Sequence, residues 1–147
     1  MASDSERKII SCLNKDARKS YREISRETGI SVPSVIQTIR KLEKIGAIKG
    51  YAPILNPEYF GFGLMAVVAL RISQGKLLET QKKIAEDGRV MAVYDVTGEW
   101  DSILIGWFTD REDLNQFIKR VLSLKYIDRT VTHLVLNVVK NEPRLPI

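Results

Sequence analysis

Residues 20–42, SYREISRETGISVPSVIQTIRKL, predict two short helices that meet at a glycine turn. Ser20 and Glu23 are a capping-box pair at the start of the first helix, because each side chain can bond a backbone N–H that the helix leaves unpaired. Gly29 closes that helix. Ser31 then starts the next one, with a proline in its first turn, where a missing N–H costs little. This pattern is typical of a helix-turn-helix, whose second helix can lie in the DNA major groove.

Composition limits the class of protein. The chain has 147 residues, of which 44% are hydrophobic, enough for one domain or two small ones with a core. No apolar run approaches the roughly 18 residues of a membrane span, and residues 1–15 lack the apolar block of a signal peptide. We therefore expect a cytoplasmic protein without a membrane segment. Cys12 is the only cysteine, which excludes an internal disulfide and favours a buried small hydrophobe.

The positive charge is concentrated in the N-terminal part. Residues 1–60 carry 11 Lys and Arg against 7 Asp and Glu, a balance of +4, and the remainder of the total of +5 lies in residues 61–147. A basic N-terminal part suits attraction to a polyphosphate, although such a charge is also common on surfaces that bind nothing. Charge supports DNA binding without deciding it.

Helical periodicity separates a core face from an outer face. We expect helices at residues 4–13, 21–28 and 32–45, with Ser3 or Asp4 as the first cap. Tyr21 and Ile24 of the second helix face the core, as do four residues of the third, namely Val35, Ile39, Leu42 and Ile45. The candidate DNA contacts lie on the other side of the third helix, at its flanks and in the helix before it: Ser31, Ser34, Gln37, Thr38, Arg40, Lys41 and Arg22.

These side chains have the chemistry that DNA requires. Gln37 can pair with adenine, and Arg40 or Lys41 with guanine or phosphate. Ser31 and Ser34 suit a phosphate through their hydroxyls and the N–H groups of the helix start. The alternative is an ordinary solvated helix face. Further candidates for phosphate contacts are Arg18, Lys19 and Arg26.

A change of pattern near residue 60 predicts a domain boundary. Gly46 ends the third helix, and residues 48–55 are predicted as an extended wing or linker strand in which Pro53 disfavours a central strand position. Asn56-Pro57 is a turn signal, and glycines follow at positions 61 and 63. We therefore expect residues 1–60 to form one domain and residues 61–147 another.

The second half of the chain predicts a βαββαβ order. Strands are expected at residues 64–72, 90–97, 102–108 and 127–139, with helices at residues 76–86 and after Asp110. This is a ferredoxin-like arrangement, an antiparallel sheet with two helices on one face, so the fold class is α+β. Strands this apolar on both sides imply that a second copy of the chain covers the open face.

The whole pattern resembles the Lrp/AsnC family of transcription regulators. The resemblance rests on "GIS" at residues 29–31, "RKLE" at 40–43, "GAIKGY" at 46–51 and "VTGEWD" at 96–101. It implies a winged helix-turn-helix joined to an effector-binding and dimerising domain often called RAM. It also implies dimers that assemble further, often to octamers, and an amino-acid effector between RAM domains. Ile36 and Thr38 depart from the residues usual in the family, so base contacts cannot be copied from relatives.

The resemblance also assigns candidate effector residues. Gly98, Glu99, Trp100 and Asp101 match the family's effector loop, and Thr132, His133 and Leu134 match further pocket wall. Asp101 could accept the α-ammonium of an amino acid, and Gly98 permits a positive φ. From the residues alone, a plain hairpin turn in which Asp101 caps backbone N–H groups is an equal alternative.

The sequence contains no recognisable catalytic motif. His133 is the only histidine, so a histidine-based metal site is not expected, and no catalytic triad, P-loop or GxGxxG is present. We predict neither catalytic residues nor a cofactor. The enzyme alternative is a haem-pathway decarboxylase, which shares the layout and in which His133 could serve as an acid.

Overall fold

The computed structural model describes residues 1–73 and 75–147, and the chain divides into two compact units. One unit is Met1–Ile54 with Asn141–Ile147, and the other is Leu55–Lys140. The first contains α1 (Asp4–Lys15), α2 (Tyr21–Thr28) and α3 (Val32–Lys44). The second contains a 3-10 turn (Glu58–Phe60), β1 (Leu64–Ile72), α4 (Leu77–Ala85), β2 (Val90–Asp95), β3 (Ser102–Phe108), α5 (Arg111–Leu122) and β4 (Ile127–Leu134). None of the described helices is long and apolar enough to cross a membrane. The domain boundary at residue 60 stays a prediction.

Serine caps fix the helix starts of the first unit. Ser3 with Glu6, and Ser20 with Glu23, form reciprocal capping boxes in which each carboxylate accepts the serine N–H at 2.7 Å. Gly29 ends α2 with a φ of 72°, a left-handed conformation that glycine adopts without a Cβ clash. The predicted pair of helices around a tight glycine turn is confirmed.

The core of the first unit takes one apolar face from each helix. Its buried members are Ile9, Cys12, Ile24, Val35 and Ile39. Two residues predicted for this core are instead exposed, Ile45 by 63% and Tyr21 by 43%. Ile45 is the C-cap of α3 and Tyr21 is the first residue of α2, so both lie at helix ends, where the apolar stripe no longer faces the core.

No wing strand forms within the chain. Residues 48–55, predicted as an extended wing or linker strand, contain no strand in the structure. A strand needs ladder hydrogen bonds to a neighbour, which no described segment supplies here, and Pro53 has no N–H to offer. The segment is instead fastened to α3 at Tyr51, whose hydroxyl donates to Glu43 Oε1 at 3.0 Å.

The last residues of the chain pack with the first unit, which no sequence pattern predicted. The Arg144 guanidinium donates to the carbonyl oxygen of Asn14 at 3.1 Å, and Asn14 Nδ2 donates to the carbonyl oxygen of Leu145 at 3.1 Å. Asn14 lies in the last turn of α1, where carbonyls have no partner within the helix. Arg144 therefore caps α1.

The second unit has the predicted βαββαβ topology. Its sheet order is β2-β3-β1-β4, and every neighbouring pair is antiparallel. Val68, Leu70 and Leu104 pack against Ile84 of α4 and Phe117 of α5 in one core, so both helices cover the same face. The ferredoxin-like prediction is confirmed.

Two strands are shorter than predicted. The fourth strand ends at Leu134 instead of residue 139, because Leu134 pairs with Ala66 and β1 begins only two residues before that point. The second ends at Asp95 instead of residue 97, where it pairs with Ser102, the first residue of β3. The second strand thus stops where its partner does, and the fourth stops within two residues of that point.

The face of the sheet away from the helices is apolar and only partly buried. Because side chains alternate along a strand, it carries Met65, Val67, Ile103, Ile105 and Trp107. All five are intermediate in exposure. Its covering by a second copy of the chain stays a prediction.

Candidate functional site

The candidate DNA contacts of the helix-turn-helix are mostly exposed. Thr38 is half-buried, and the other six are exposed: Ser31, Ser34, Gln37, Arg40, Lys41 and Arg22. The core face of α3 holds this arrangement because Val35, Ile39 and Leu42 are buried. The helix therefore presents its polar side outward, as the spacing predicted.

At the start of α3, a serine side chain accepts one of the backbone N–H groups that a helix start leaves unpaired. Ser31 Oγ accepts the N–H of Ser34 at 3.4 Å, and the two hydroxyls lie 2.8 Å apart. Pro33 removes one of the N–H groups that a helix start leaves unpaired. The other N–H groups of the first turn, together with the Ser34 hydroxyl, can receive an anion.

Lys41 is engaged within the unit. Its ammonium lies 2.8 Å from Glu6 Oε1, and Glu6 Oε2 accepts the N–H of Ser3 at 2.7 Å. These bonds, the lysine first, lower the pKa of Glu6 to about 2. The Glu6 side chain is only 11% exposed, so water screens its charge poorly. Lys41 supplies the counter-charge for this carboxylate of α1. Arg40 makes no ion pair among the described residues.

Of the basic residues in α2 and the turn before it, two form ion pairs within the chain and two do not. Lys19 is 2.6 Å from Glu27, and this hydrogen bond raises the pKa of Lys19. Arg18 pairs with Asp16 at 3.3 Å. Arg22 and Arg26 are exposed and have no ion pair in the described part of the chain. Among the candidate DNA contacts, the arginines without an ion pair to a described residue are Arg22, Arg26 and Arg40.

The loop at residues 96–101 is pinned to the end of β1 by Asp101. Asp101 Oδ2 accepts the N–H of Ile72 at 2.8 Å, and the Asp101 N–H donates to the carbonyl oxygen of Leu70 at 3.0 Å. Gly98 has a φ of 111°, which disfavours any residue with a side chain. The loop therefore crosses from β3 over the end of β1 towards β4.

The tip of this loop contacts the first part of β4. The Arg129 guanidinium lies 5.0 Å from the centre of the Trp100 ring and 3.8 Å from Glu99 Oε1. Sequence reasoning missed Arg129, and no pattern in one sequence would have identified it, since the contact depends on strand register. Glu99, Trp100 and Arg129 form a polar cluster beside Asp101.

The other candidate effector residues lie further along β4. Thr132, His133 and Leu134 pair with Val68, Val67 and Ala66 of β1. The loop meets β1 at Leu70 and Ile72, so the nearest of the three is two residues away, about 7 Å at 3.3 Å per residue. His133 faces the open side of the sheet, and Thr132 and Leu134 face the other side. Within one protomer, the 96–101 loop and residues 132–134 therefore do not form a single site.

A buried polar network holds the base of the loop. Gln81 of α4 donates through Nε2 to Asp95 Oδ1 and, at 3.0 Å, to Ser102 Oγ. Ser102 Oγ in turn donates to the carbonyl oxygen of Tyr94 at 3.0 Å. Asp95 ends β2 and Ser102 begins β3, so one side chain joins both stems of the loop to α4.

Replacing Gln81 with leucine is expected to loosen the loop. Ser102 is fully buried, and removing its hydrogen-bond partner costs about 1–3 kcal/mol of folding free energy. Hydrogen exchange read by mass spectrometry should show faster exchange of the amides in residues 96–101. The matched control is Gln116→Leu on the exposed side of α5. Unchanged exchange in Gln81→Leu would contradict the bracing role.

No metal centre is formed by the described residues, which contain no cluster of three or more His, Cys, Asp or Glu side chains suited to one. Cys12 is buried beside Glu27, with Sγ 3.5 Å from the carboxylate, and burial raises the pKa of its thiol. That environment disfavours the thiolate that reacts or binds metals.

Two family models match the chain. One, described as winged helix-turn-helix DNA-binding, matches residues 3–49, and one described as Lrp/AsnC ligand binding domain matches residues 65–145. An uncharacterized HTH-type transcriptional regulator of Pyrococcus abyssi is 46% identical over 145 residues, 99% of each chain. The HTH-type transcriptional regulator Ptr1 of Methanocaldococcus jannaschii is 36% identical over 141 residues, 95% of each chain.

Solved structures of the same architecture include a transcriptional regulator of Neisseria meningitidis in complex with L-Met. It matches with a TM-score of 0.90 and 25% identity, over 99% of this chain and 97% of that one. The AsnC protein of E. coli matches with a TM-score of 0.86, over 96% of this chain and 97% of that one. Its identity is 19%, so that match supports the fold alone.

Proposed function

The chain belongs to the Lrp/AsnC family of DNA-binding transcription regulators, and we propose that an amino acid bound between its C-terminal domains controls its binding to DNA. The relatives are transcription regulators and not enzymes, which removes the decarboxylase alternative. Its membership of this family identifies the chain as a DNA-binding transcription regulator.

Helix α3 is the proposed recognition helix. Gln37 and Arg40 are exposed on it and carry the groups that pair with adenine and with guanine or phosphate. The Ser34 hydroxyl and the remaining free N–H groups of the first turn suit a phosphate, and Arg22 supplies another phosphate contact from α2. Lys41 contributes less, because a carboxylate of α1 already compensates its charge.

A second copy of the chain is the proposed cover of the open sheet face. Five large apolar side chains lie on that face without full burial, which is unusual for a lone domain and typical of an interface. Two-fold pairing would present two recognition helices to half-sites about one DNA turn, roughly 34 Å, apart. Such dimers are proposed to assemble further, up to octamers.

The 96–101 loop is the proposed effector site, together with residues 132–134 from another copy. The observation that carries the proposal is the pinning of this loop to β1 through Asp101, which holds a carboxylate at a fixed place beside the open face. A carboxylate there suits the ammonium of an amino acid. The Neisseria meningitidis regulator was solved with L-Met, which supports an amino acid as the ligand class.

Thermal unfolding in the presence of each of the twenty amino acids tests the effector proposal. A ligand that binds the native state raises the unfolding temperature by mass action, and we expect at least one amino acid to do so. Asp101→Asn keeps an acceptor for the Ile72 N–H and removes the charge. It should therefore abolish the ligand-induced rise while leaving the unfolding temperature without ligand nearly unchanged.

Glu86→Gln, an exposed carboxylate after α4, is the matched control and should retain the response. The hit should also change DNA affinity, because an effector acts only if its affinity differs between two arrangements of the protein. A rise in unfolding temperature of equal size in Asp101→Asn would disprove the assigned role of Asp101. No response to any amino acid would disprove the ligand class.

A further inference from the structure

Two arginines stand directly opposite each other on the open face of the sheet. Arg71 of β1 pairs with Arg129 of β4 in the antiparallel ladder. Val68 and Leu70 lie in the helix-covered core, so alternation along β1 places Arg71 on the other face. Side chains of directly opposite residues are about 4.5–5.5 Å apart at Cβ, and like charges there are destabilising.

Among the described residues, only one ion pair involves either arginine. Glu99 lies 3.8 Å from Arg129, with both side chains 65% exposed, so the ion pair is weak. Arg71 is exposed and makes no ion pair with any described residue. The pair thus keeps a net positive charge at a position where strand pairing disfavours it. Local rules of this kind are broken mainly at functional sites.

The strand ladder is irregular at the same place. Arg71 pairs with Arg129, but the next residue, Ile72, pairs with Ile127, so Asp128 is an extra residue in β4. Irregularities of this kind re-aim side chains and are frequent beside binding sites. The N–H of Ile72 goes to Asp101 Oδ2, which places a carboxylate of the loop one residue from Arg71 along β1.

We propose that Arg71 and Arg129 together bind the α-carboxylate of the effector, next to Asp101, which receives its ammonium. This inference rests on the proposed function and names two residues and a ligand group that it leaves open. Guanidinium groups match a carboxylate through paired N–H···O bonds. The Trp100 ring, 5.0 Å from Arg129, holds that guanidinium at the loop. The ligand class is therefore a zwitterion with a free carboxylate, and amino-acid amides are excluded.

The first experiment needs no ligand. Arg71→Gln removes the repulsion between the two arginines, so its unfolding temperature at low salt should lie about 1–2 °C above that of the unaltered protein. The difference should shrink as salt is added, because salt screens exposed charges. Arg111→Gln at the start of α5 is the matched control. A lower unfolding temperature or weaker self-association, measured by sedimentation, would overturn the proposal in favour of pairing with a carboxylate of another subunit.

The second experiment compares ligands. The amino acid that raises the unfolding temperature most is titrated against the unaltered protein, Arg71→Gln and Arg129→Gln, beside the corresponding amino-acid amide. Each substitution should weaken apparent affinity roughly tenfold or more, and the amide should give no response. Full affinity in both variants, or an equal response to the amide, would overturn the proposal.

The experiments distinguish failure of the amino-acid effector proposal from failure of the arginine pair as a carboxylate site. If no amino acid binds, the matching 2-oxo acids, which keep the carboxylate and lack the ammonium, are titrated in the same way. A response that is lost in Arg71→Gln would keep the arginine pair as a carboxylate site while the amino-acid proposal falls. No response to any carboxylate would overturn the arginine pair as well.

Discussion

Asp87→Asn is expected to lower the free energy of unfolding by about 3 kcal/mol, the range typical for breaking a buried ion pair. The Asp87 side chain is 6% exposed, and its Oδ2 lies 2.8 Å from Arg89 and 2.6 Å from Arg120. Arg89 also pairs with Asp113 and lies 5.3 Å from the centre of the Phe117 ring. Neutralising Asp87 therefore leaves two guanidiniums short of a counter-charge over the core.

Urea unfolding followed by circular dichroism measures this loss. Asp128→Asn, an exposed carboxylate in β4, is the matched control and should stay within about 0.5 kcal/mol of the unaltered protein. An unchanged slope with denaturant would show that the compactness of the two end states is preserved. A loss below about 1 kcal/mol in Asp87→Asn would show that the network is not a main source of stability.

The same variant has a defined pH signature. The hydrogen bond from Arg89 is the largest of the interactions that lower the pKa of Asp87 from 3.8 to about 2. Because the folded-state pKa is below the unfolded one, the stabilisation is fully present above about pH 4 and is lost as the pH falls towards 2. This pH-dependent contribution of Asp87 to the free energy of unfolding amounts to about 2 kcal/mol. The stability gap between the two proteins should therefore narrow over that interval and stay constant from pH 5 to 7.

The elements predicted correctly are those whose signals are local. Ser20 and Glu23 lie three residues apart and make their hydrogen bonds within one helical turn. Asp110 caps α5 in the same way, by accepting the N–H of Asp113 at 2.9 Å. The order of strands and helices followed from apolar runs separated by such caps and turns. Neighbouring residues are enough to decide this level of structure.

Contacts between distant residues could not be predicted. Lys41 shares a helix face with Gln37, and spacing alone makes both candidate DNA contacts. The structure gives Lys41 a partner 35 residues earlier in the chain, Glu6. A helical pattern shows which way a side chain points, but not which neighbouring helix supplies its counter-charge.

Strand register is the second limit. A shift of one residue moves a side chain to the other face of the sheet, so sequence could not show which of Thr132 and His133 faces the open side. Nor could it show that Arg71 stands opposite Arg129. The candidate effector loop was assigned from its resemblance to the effector loop of the Lrp/AsnC family. Its basic neighbours, Arg71 and Arg129, depend on strand pairing that only the structure reveals.

The salt dependence of DNA binding should separate the available cations from the engaged ones. A dimer that contacts roughly 6–10 phosphates loses about 10³–10⁵ in affinity between 50 and 200 mM salt. Arg40→Gln removes one exposed cation without an ion pair from α3 of each copy. If both copies contact phosphate, the slope of log affinity against log salt should become flatter by about 2.

Lys41→Gln is the informative comparison, since it removes the same charge one residue further along the helix. Because Lys41 is bound to Glu6 at 2.8 Å, its loss releases few counterions on DNA binding and should leave the slope nearly unchanged. It should instead lower stability, since the largely buried Glu6 carboxylate loses its cation. Affinities measured on a DNA site obtained by in vitro selection, over a salt series, decide the matter. Equal flattening in both variants would mean that Lys41 leaves Glu6 for the DNA, and the intramolecular ion pair would then be a competitor of DNA binding.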